Sequence, residues 1–349
     1  MAIRPFSTFG ACPLSANDQA TPSDAVPRKP RPRWLRFSLR TMLIMVTLLS
    51  IGPGWFVHRG ERQRRAVAAV EEMGGKVAYD ATALYWVVEE VGGLRGWLPR
   101  NYFFNVTMVN LSETRATDAS LAHIKKLPHV RYLDLSGTDV TDRGLLQLQG
   151  LTKLESVKLE YMQVTDAGLP QLQGLRHLIL LDFRGTQVTD AGLVHLGRLT
   201  RLRVLGLEAT QVTSGGLSHL QGMSRLEELD LSGTQVTDAG LVHLRRLTLR
   251  GLRLEDTQVT DGGLSHLQGM STLQELDLSG TQVTDAGLHH LKGLIRLKFL
   301  EFVDTPVTAT GVAKLQIALP NCEISGPNSR RTPARHRAGG GVGRRSSPT

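Results

Sequence analysis

The sequence predicts an α/β solenoid, in which copies of one strand–turn–helix unit stack into a parallel sheet backed by short helices. Three observations predict it. A Val-Thr-Asp element heads successive copies at Val140, Val164, Val188, Val212, Val236, Val259, Val283 and Val307. Its step is 24 residues throughout, except 23 between Val236 and Val259, and a weaker copy precedes it at Ala116-Thr117-Asp118. A fixed period of this length marks a repeat array. Next, segments such as Leu229-Asp230-Leu231-Ser232 alternate apolar and polar residues, the period of a strand with one buried face. Finally, Leu241, Leu244 and Leu247 follow at steps of three, which places them on one face of a short helix.

Inside each unit the elements follow from local chemistry. Thr237 or Asp238 can cap the helix, since either side-chain oxygen accepts from the free N–H groups of a first turn. Gly240, without a side chain, lets that helix lie close on the turn below. No unit can bury its leucines alone, but stacked units can.

The resulting pattern, L-x-x-L-x-L-x-x-T-x-V-T-D-x-G-L-x-x-L-x-x-L, resembles the leucine-rich repeat, in the subtype with a helical convex side. The resemblance covers residues 106–325, about nine repeats plus a terminal strand. It implies a right-handed horseshoe with a concave parallel sheet and short convex helices. The family motif carries Asn or Cys where this chain has Thr138, Thr186, Thr210, Thr234, Thr257, Thr281 and Thr305, and Met162 breaks that column. Asn there bonds to the turn backbone in a ladder, of which Thr can supply only part.

The flanks differ in composition. Residues 1–40 and 326–349 carry net charges of +5 and +6, leaving −2 between them out of the total of +9. The repeats are therefore no basic, nucleic-acid-like surface. Both flanks lack periodicity and read as disordered. Thr41–Val57 holds no charge and reads, to residue 58, as a transmembrane helix near the lower length limit of ~17 residues. Six basic residues precede it and four follow, so the positive-inside rule puts the N-terminus in the cytoplasm and the repeats outside. Residues 59–105 read as a juxtamembrane helix, a stop at Gly74-Gly75, a short strand at Lys76–Asp80, and the aromatic stretch Leu94–Phe104 capping the first repeat. This arrangement, with the Arg36–Leu43 run, resembles planctomycete-type membrane-anchored leucine-rich-repeat proteins and implies a bacterial envelope location.

No catalytic motif is present: no H-E-x-x-H, G-x-S-x-G, phosphate loop or C-x-x-C. The chain reads as a non-enzyme without cofactor or metal. His123, His195, His219, His243, His266 and His290 form a column, but adjacent helices ~8–10 Å apart cannot share a metal whose bonds are ~2.0–2.1 Å. Cys322 falls at an inward strand position and reads as core.

The concave sheet is the informative surface. Its central column runs Asn110, Asp134, Lys158, Asp182, Gly206, Asp230, Arg253, Asp277, Glu301 and Glu323. Counting the neighbouring columns, eleven acids face three bases. The leading reading is a protein- or peptide-binding module of cationic preference, with Tyr132, Asp134, Asp182, Glu228, Asp230, Glu275, Asp277, Phe299 and Glu301 as candidate contact residues. The alternative is a structural envelope spacer. Gly215–Leu244 and Gly262–Leu291 differ at only three positions, and a surface tuned to one irregular partner should vary between repeats. An unrecognised enzyme is the least favoured reading.

Overall fold

The structure, a computed structural model, describes residues 39–80 and 104–326; within its first helix the side chains of 39–54 and 56 are not among those described. The segments read as disordered, apart from 39–40, which begin the first helix, and 326, lie outside these residues, as does nearly all of the aromatic stretch Leu94–Phe104. The chain divides into two compact units, Met1–Gly52 and Pro53–Thr349. The described part of the first is helical backbone alone. The second holds the sheet and the core.

One helix, α1 (Leu39–Glu72), covers both the transmembrane helix expected at 41–58 and the juxtamembrane helix expected after it. Among the described residues, no helix is long and apolar enough to cross a membrane, so the spanning segment finds no support here. Pro53 does not end α1, which continues through Arg59, Glu61, Arg62, Arg64 and Arg65. These charges lie beyond the expected span, in the part of the helix expected to follow it. The last turns serve the core, burying Ala66, Val67 and Val70. The helix stops where the glycine pair predicts: Gly74 takes φ +84°, and the Gly75 amide donates to the Val70 carbonyl at 2.9 Å.

After it comes β1 (Lys76–Tyr79), antiparallel to β2 (Val106–Asn110). Nine further three-residue strands follow in parallel: β3 (Tyr132–Asp134), β4 (Ser156–Lys158), β5 (Leu180–Asp182), β6 (Val204–Gly206), β7 (Glu228–Asp230), β8 (Gly251–Arg253), β9 (Glu275–Asp277), β10 (Phe299–Glu301) and β11 (Glu323–Ser325). Together they make one eleven-stranded sheet in strict chain order. A second line of single parallel bridges, from Thr117↔Asp139 to Thr260↔Gln282, joins the turns of successive repeats.

The core is a column of leucines closed by short helical turns. In one repeat Leu226, Leu229, Leu231, Val236, Leu241, Leu244 and Leu247 are all buried. Each such side chain contributes about 1.5–3 kcal/mol on burial. The Thr column closes the turn after each strand from within. Thr186 Oγ1 donates to the Phe183 carbonyl and Thr234 Oγ1 to the Leu231 carbonyl, each at 2.6 Å, so these bonds stay inside one repeat. Met162 fills its place in the column as a buried apolar side chain.

The Val-Thr-Asp element divides labour that local reasoning assigns to one residue. Thr189 caps its own turn, accepting from the Ala191 amide at 3.2 Å. The aspartate reaches forward one repeat instead. Oδ1 of Asp166 accepts from the Thr189 amide at 2.8 Å and Oδ2 from the Thr189 hydroxyl at 2.6 Å. The same two bonds tie Asp118 to Thr141, Asp142 to Thr165, Asp190 to Thr213, Asp238 to Thr260, Asp261 to Thr284 and Asp285 to Thr308. The glycine of V-T-D-x-G is explained at the same point. A Cβ at Gly192 would strike Oδ1 of Asp166, and one at Gly168 would strike Oδ1 of Asp142.

One rung differs. Ser214 stands where the others have Asp. Its hydroxyl meets the Thr237 amide and hydroxyl, both at 3.0 Å, and Thr237 makes no side-chain cap. A carboxylate can only accept, so it fixes the Thr hydroxyl as donor and leaves the oxygen lone pairs for the cap. A serine can donate or accept and fixes neither.

At the far end, Ala309–Ala318 is the longest of the repeat helices, with Thr308 as its cap. Cys322 is buried behind β11, and burial pushes its thiol up to about 11. It is a core residue.

Candidate binding face

Every strand from β3 to β10 buries its middle residue, while its first and third residues point to the other, open face. The parallel register aligns these outward residues into columns. The first column contains Met108, Tyr132, Ser156, Leu180, Val204, Glu228, Gly251, Glu275, Phe299 and Glu323. The third-residue column alternates: Asp134, Lys158, Asp182, Gly206, Asp230, Arg253 and Asp277 are successive neighbours.

The acids of this face are interrupted by bases. The three bases lie between the acids and are tied to them. Lys158 pairs with Glu160 at 3.2 Å, Arg184 with Glu208 at 2.5 Å, and Arg253 with Asp230 at 3.5 Å. A count of charges misses this because it ignores register. The aspartates also act locally. Oδ1 of Asp134, Asp182, Asp230 and Asp277 each accepts from the amide two residues on, at 2.9–3.0 Å. Each thereby holds the turn that leaves its strand.

The face is built from pairs of repeats. Nine equivalent turn positions all take positive φ, alternating between glycine (137, 185, 233 and 280) and a side chain (Glu113, Tyr161, Ala209, Asp256 and Asp304). A Cβ at Gly185 would meet the Tyr161 ring at 2.5 Å, so the glycine makes room for its neighbour's side chain. Repeats with Asp in the third column carry the glycine, and repeats with Lys158, Gly206, Arg253 or Glu301 carry the side chain.

The candidate residues fall into separate groups. Tyr132 and Asp134 lie on β3 and Asp182 on β5, while Phe299 and Glu301 lie on β10, five strands beyond β5. Glu275 and Asp277 on β9 pair directly with Phe299 and Glu301 on β10, and Glu228 and Asp230 lie across β8 from Glu275 and Asp277. Glu228 and Glu275 flank Gly251, whose missing side chain leaves space for Glu228 Cγ at 3.5 Å and a Glu275 carboxylate oxygen at 4.0 Å. Burial, then Glu275, raises the Glu228 carboxyl above its usual range, against the pull of Arg253. Asp182 is pushed up to about 6, chiefly by burial.

Five residues outside the expected set matter as much. Half-buried Leu180 and Val204 form an apolar centre on β5 and β6. Tyr161, 57% exposed, lies 5.5 Å from the Arg184 guanidinium, whose Nε is buried without a hydrogen-bond partner. Glu208 takes the other end of Arg184. The two-repeat period is the signal that could have found them, because these repeats depart from it most. Acid content is uneven too. From β7 to β11 the outward columns hold Glu228, Asp230, Glu255, Glu275, Asp277, Glu301 and Glu323 against Arg253 alone. From β2 to β6 they hold Asp134, Glu160, Asp182 and Glu208 against Lys158 and Arg184.

On the opposite side the histidine column makes polar contacts, such as Gln173 Nε2 to His195 Nδ1 at 2.7 Å. Among the described residues no group of His, Cys, Asp and Glu is placed to hold a metal ion. Asn105 and Asn110, each the first residue of an Asn-x-Ser/Thr sequence, are engaged: Asn105 accepts from Arg59, and Asn110 from the Ser112 amide and hydroxyl.

Fold and face together define a leucine-rich-repeat solenoid. Residues 126–148, 224–244 and 269–289 match the family model described as Leucine Rich repeat. No curated protein matches the chain. Among solved structures, an internalin (inlF) from Listeria monocytogenes is similar at 24% identity and TM-score 0.48, over 62% of this chain and 57% of that one. An internalin C2 (inlC2) from the same organism is similar at 24% identity and TM-score 0.45, over 62% of this chain and 86% of that one. The chain thus spans a little over half the length of the first.

Proposed function

We propose that the protein is a non-enzymatic binding module whose open sheet face holds a protein or peptide. One observation carries the reading. The face presents a half-buried apolar centre, Leu180 and Val204, ringed by Tyr161, Arg184, Asp182 and Glu208, with its ion pair already formed. Tyr and Arg beside apolar residues, with charges internally paired, is the composition of interface cores. A partner there need not carry a large positive charge. Capture by the immobilised full chain, compared with a Leu180→Glu/Val204→Glu variant of equal melting midpoint, tests it. One partner lost from the variant supports the module; equal capture by both contradicts it.

The second reading, an envelope spacer, is favoured by the near-identity of Gly215–Leu244 and Gly262–Leu291. Display outside the cytoplasm on a single-pass anchor is part of the proposal at the level of sequence alone. It rests on the uncharged Thr41–Val57 run and the arginines before it. Protease accessibility of an N-terminal tag in intact cells checks the cytoplasmic placement of that end, and cleavage there would overturn it.

A further inference from the structure

We propose that one edge of the solenoid, formed by the connectors that lead from each helix into the next strand, docks on an anionic lipid surface. This goes beyond the binding reading of the open face, and it holds with or without a spanning segment.

The net charge of −2 over residues 41–325 averages two unlike edges. The eight connectors from 125–131 to 292–298 hold fourteen Lys and Arg against two acids, Glu155 and Glu227. The nine connectors that leave the strands, from 111–120 to 302–308, hold two Arg against ten Asp and Glu. Both acids of the basic edge are taken up within it. Glu155 pairs with Arg131 at 3.5 Å, and Glu227 with Arg203 at 2.6 Å and Arg250 at 3.7 Å. Arg201, Arg245, Arg246, Lys292, Arg296 and Lys298 are exposed and make no salt bridge among the described residues. Seven strand spacings of ~4.8 Å spread the eight connectors over about 34 Å. Such a rim of cations suits a broad anionic surface.

Two further observations point to lipid. The first is apolar exposure at both ends of the rim. Ile295, 77% exposed, stands between Lys292 and Arg296 where preceding connectors have Ser224, Thr248 and Ser271. At the other end Trp55, 63% exposed, lies under the Arg59 guanidinium, 5.5 Å from it. Apolar side chains among cations match the boundary of headgroups and acyl chains, and Trp favours that level. The second is a place for an anionic oxygen. Lys153 Nζ, which can only donate, lies 2.9 Å from His129 Nδ1. The ring proton is therefore on Nε2, which faces an Arg59 guanidinium nitrogen at 3.5 Å. Two donors meet there, and a lipid phosphate oxygen accepts from both. Burial, then Lys153, Arg59 and Arg131, keeps the His129 pKa below its ordinary value.

The test uses the full chain with Cys12→Ser, since Cys322 is buried. An environment-sensitive fluorophore is attached at Ile295→Cys or, on the acidic edge, at exposed Asp139→Cys. Vesicles of phosphatidylcholine and phosphatidylglycerol in equal parts should raise emission from the Ile295→Cys label at least twofold. Pure phosphatidylcholine should leave it unchanged, and the Asp139→Cys label should respond to neither. Changing Arg201, Arg245, Arg246 and Arg296 to Gln, at an unchanged melting midpoint, should raise the lipid needed at least tenfold, since each cation near the surface adds to the attraction. Added salt should weaken the response, as exposed charges are screened. Changing Arg330, Arg331, Arg344 and Arg345 to Gln removes the same charge elsewhere and should shift the lipid needed less than threefold. An equal loss there assigns the attraction to that segment and overturns the proposal. So do equal responses from both labels, an equal response to pure phosphatidylcholine, or no response at all. A response of the Ile295→Cys label to double-stranded DNA but not to vesicles assigns the edge to nucleic acid and also overturns it. Each of these failures leaves the reading of the open face standing, because Leu180 and Val204 are untouched.

Discussion

The carboxylate of Asp166 is bonded twice to Thr189, one repeat further on, at its amide and at its hydroxyl. The pair joins two repeats outside the leucine core and sets the Thr hydroxyl to cap its own turn. Asp166→Ala removes both bonds and frees a partly buried amide. Hydrogen bonds to charged groups contribute about 1.5–3 kcal/mol, and an orphaned donor adds to the cost. A loss of about 2–4 kcal/mol is expected by denaturant unfolding, with neighbouring rungs unable to compensate. A loss below about 0.5 kcal/mol would show the ladder to be incidental.

The rung at Ser214 offers the converse. Ser214→Asp places a carboxylate over Gly240, in the setting the other rungs already use. It should raise stability by about 1–2 kcal/mol and slow hydrogen exchange at the Thr237 amide. An unchanged unfolding midpoint with unchanged exchange would mean that the missing carboxylate is not what weakens this junction.

Gly192 and Asp166 should be coupled. Gly192→Ala drives a methyl group into Oδ1 of Asp166 and should cost about 1–3 kcal/mol. In an Asp166→Ala background the same change should cost less, because the closest contact is gone and only the one with Leu169 Cδ2, at 2.8 Å, remains. Additive losses in the double mutant would place the strain elsewhere.

Asp182 makes stability pH-dependent, and the sign follows from its raised value. The folded state holds the proton up to about pH 6, while the unfolded chain releases it near 3.8. The contribution is complete below the unfolded value and is lost as pH rises through the folded one. Melting midpoints should therefore fall between about pH 4 and pH 6 from this group. Asp182→Asn keeps an oxygen for the Arg184 amide and should raise stability at pH 7 by about 1–3 kcal/mol while flattening that dependence. A variant that is less stable at pH 7 and equally pH-dependent would show that burial of the charge is not the cause.

The fold was legible because the period is nearly exact. Leu229, Leu231 and Leu244 declare strand and helix by spacing alone, and the Gly74-Gly75 stop lies where expected. The ladder was not legible, because the partners of Asp166 lie 23 residues away, and a helix cap satisfies the same local pattern. The count of eleven acids against three bases left out the ion pairs for a related reason. Lys158 and Arg253 are few in a tally, but register sets each between two aspartates. Tyr161 hid in the repeat that breaks the pattern, where Met162 looked like a defect in a column, and Arg184 in the repeat after it. The span read at residues 41–58 rests on composition alone, and α1 continues past it into the core-packed helix expected after it.

Site-specific photocrosslinking in the cell that makes the protein bears most directly on whether the open face binds. A photoreactive side chain is placed at Leu180 or Val204 on the open face, and at Val194 or Val242 on the helical side, where both valines are exposed. A binding face on the open sheet predicts one shared adduct from Leu180 and Val204 and none from Val194 and Val242. Adducts from the helical side alone, or from neither face, would contradict it.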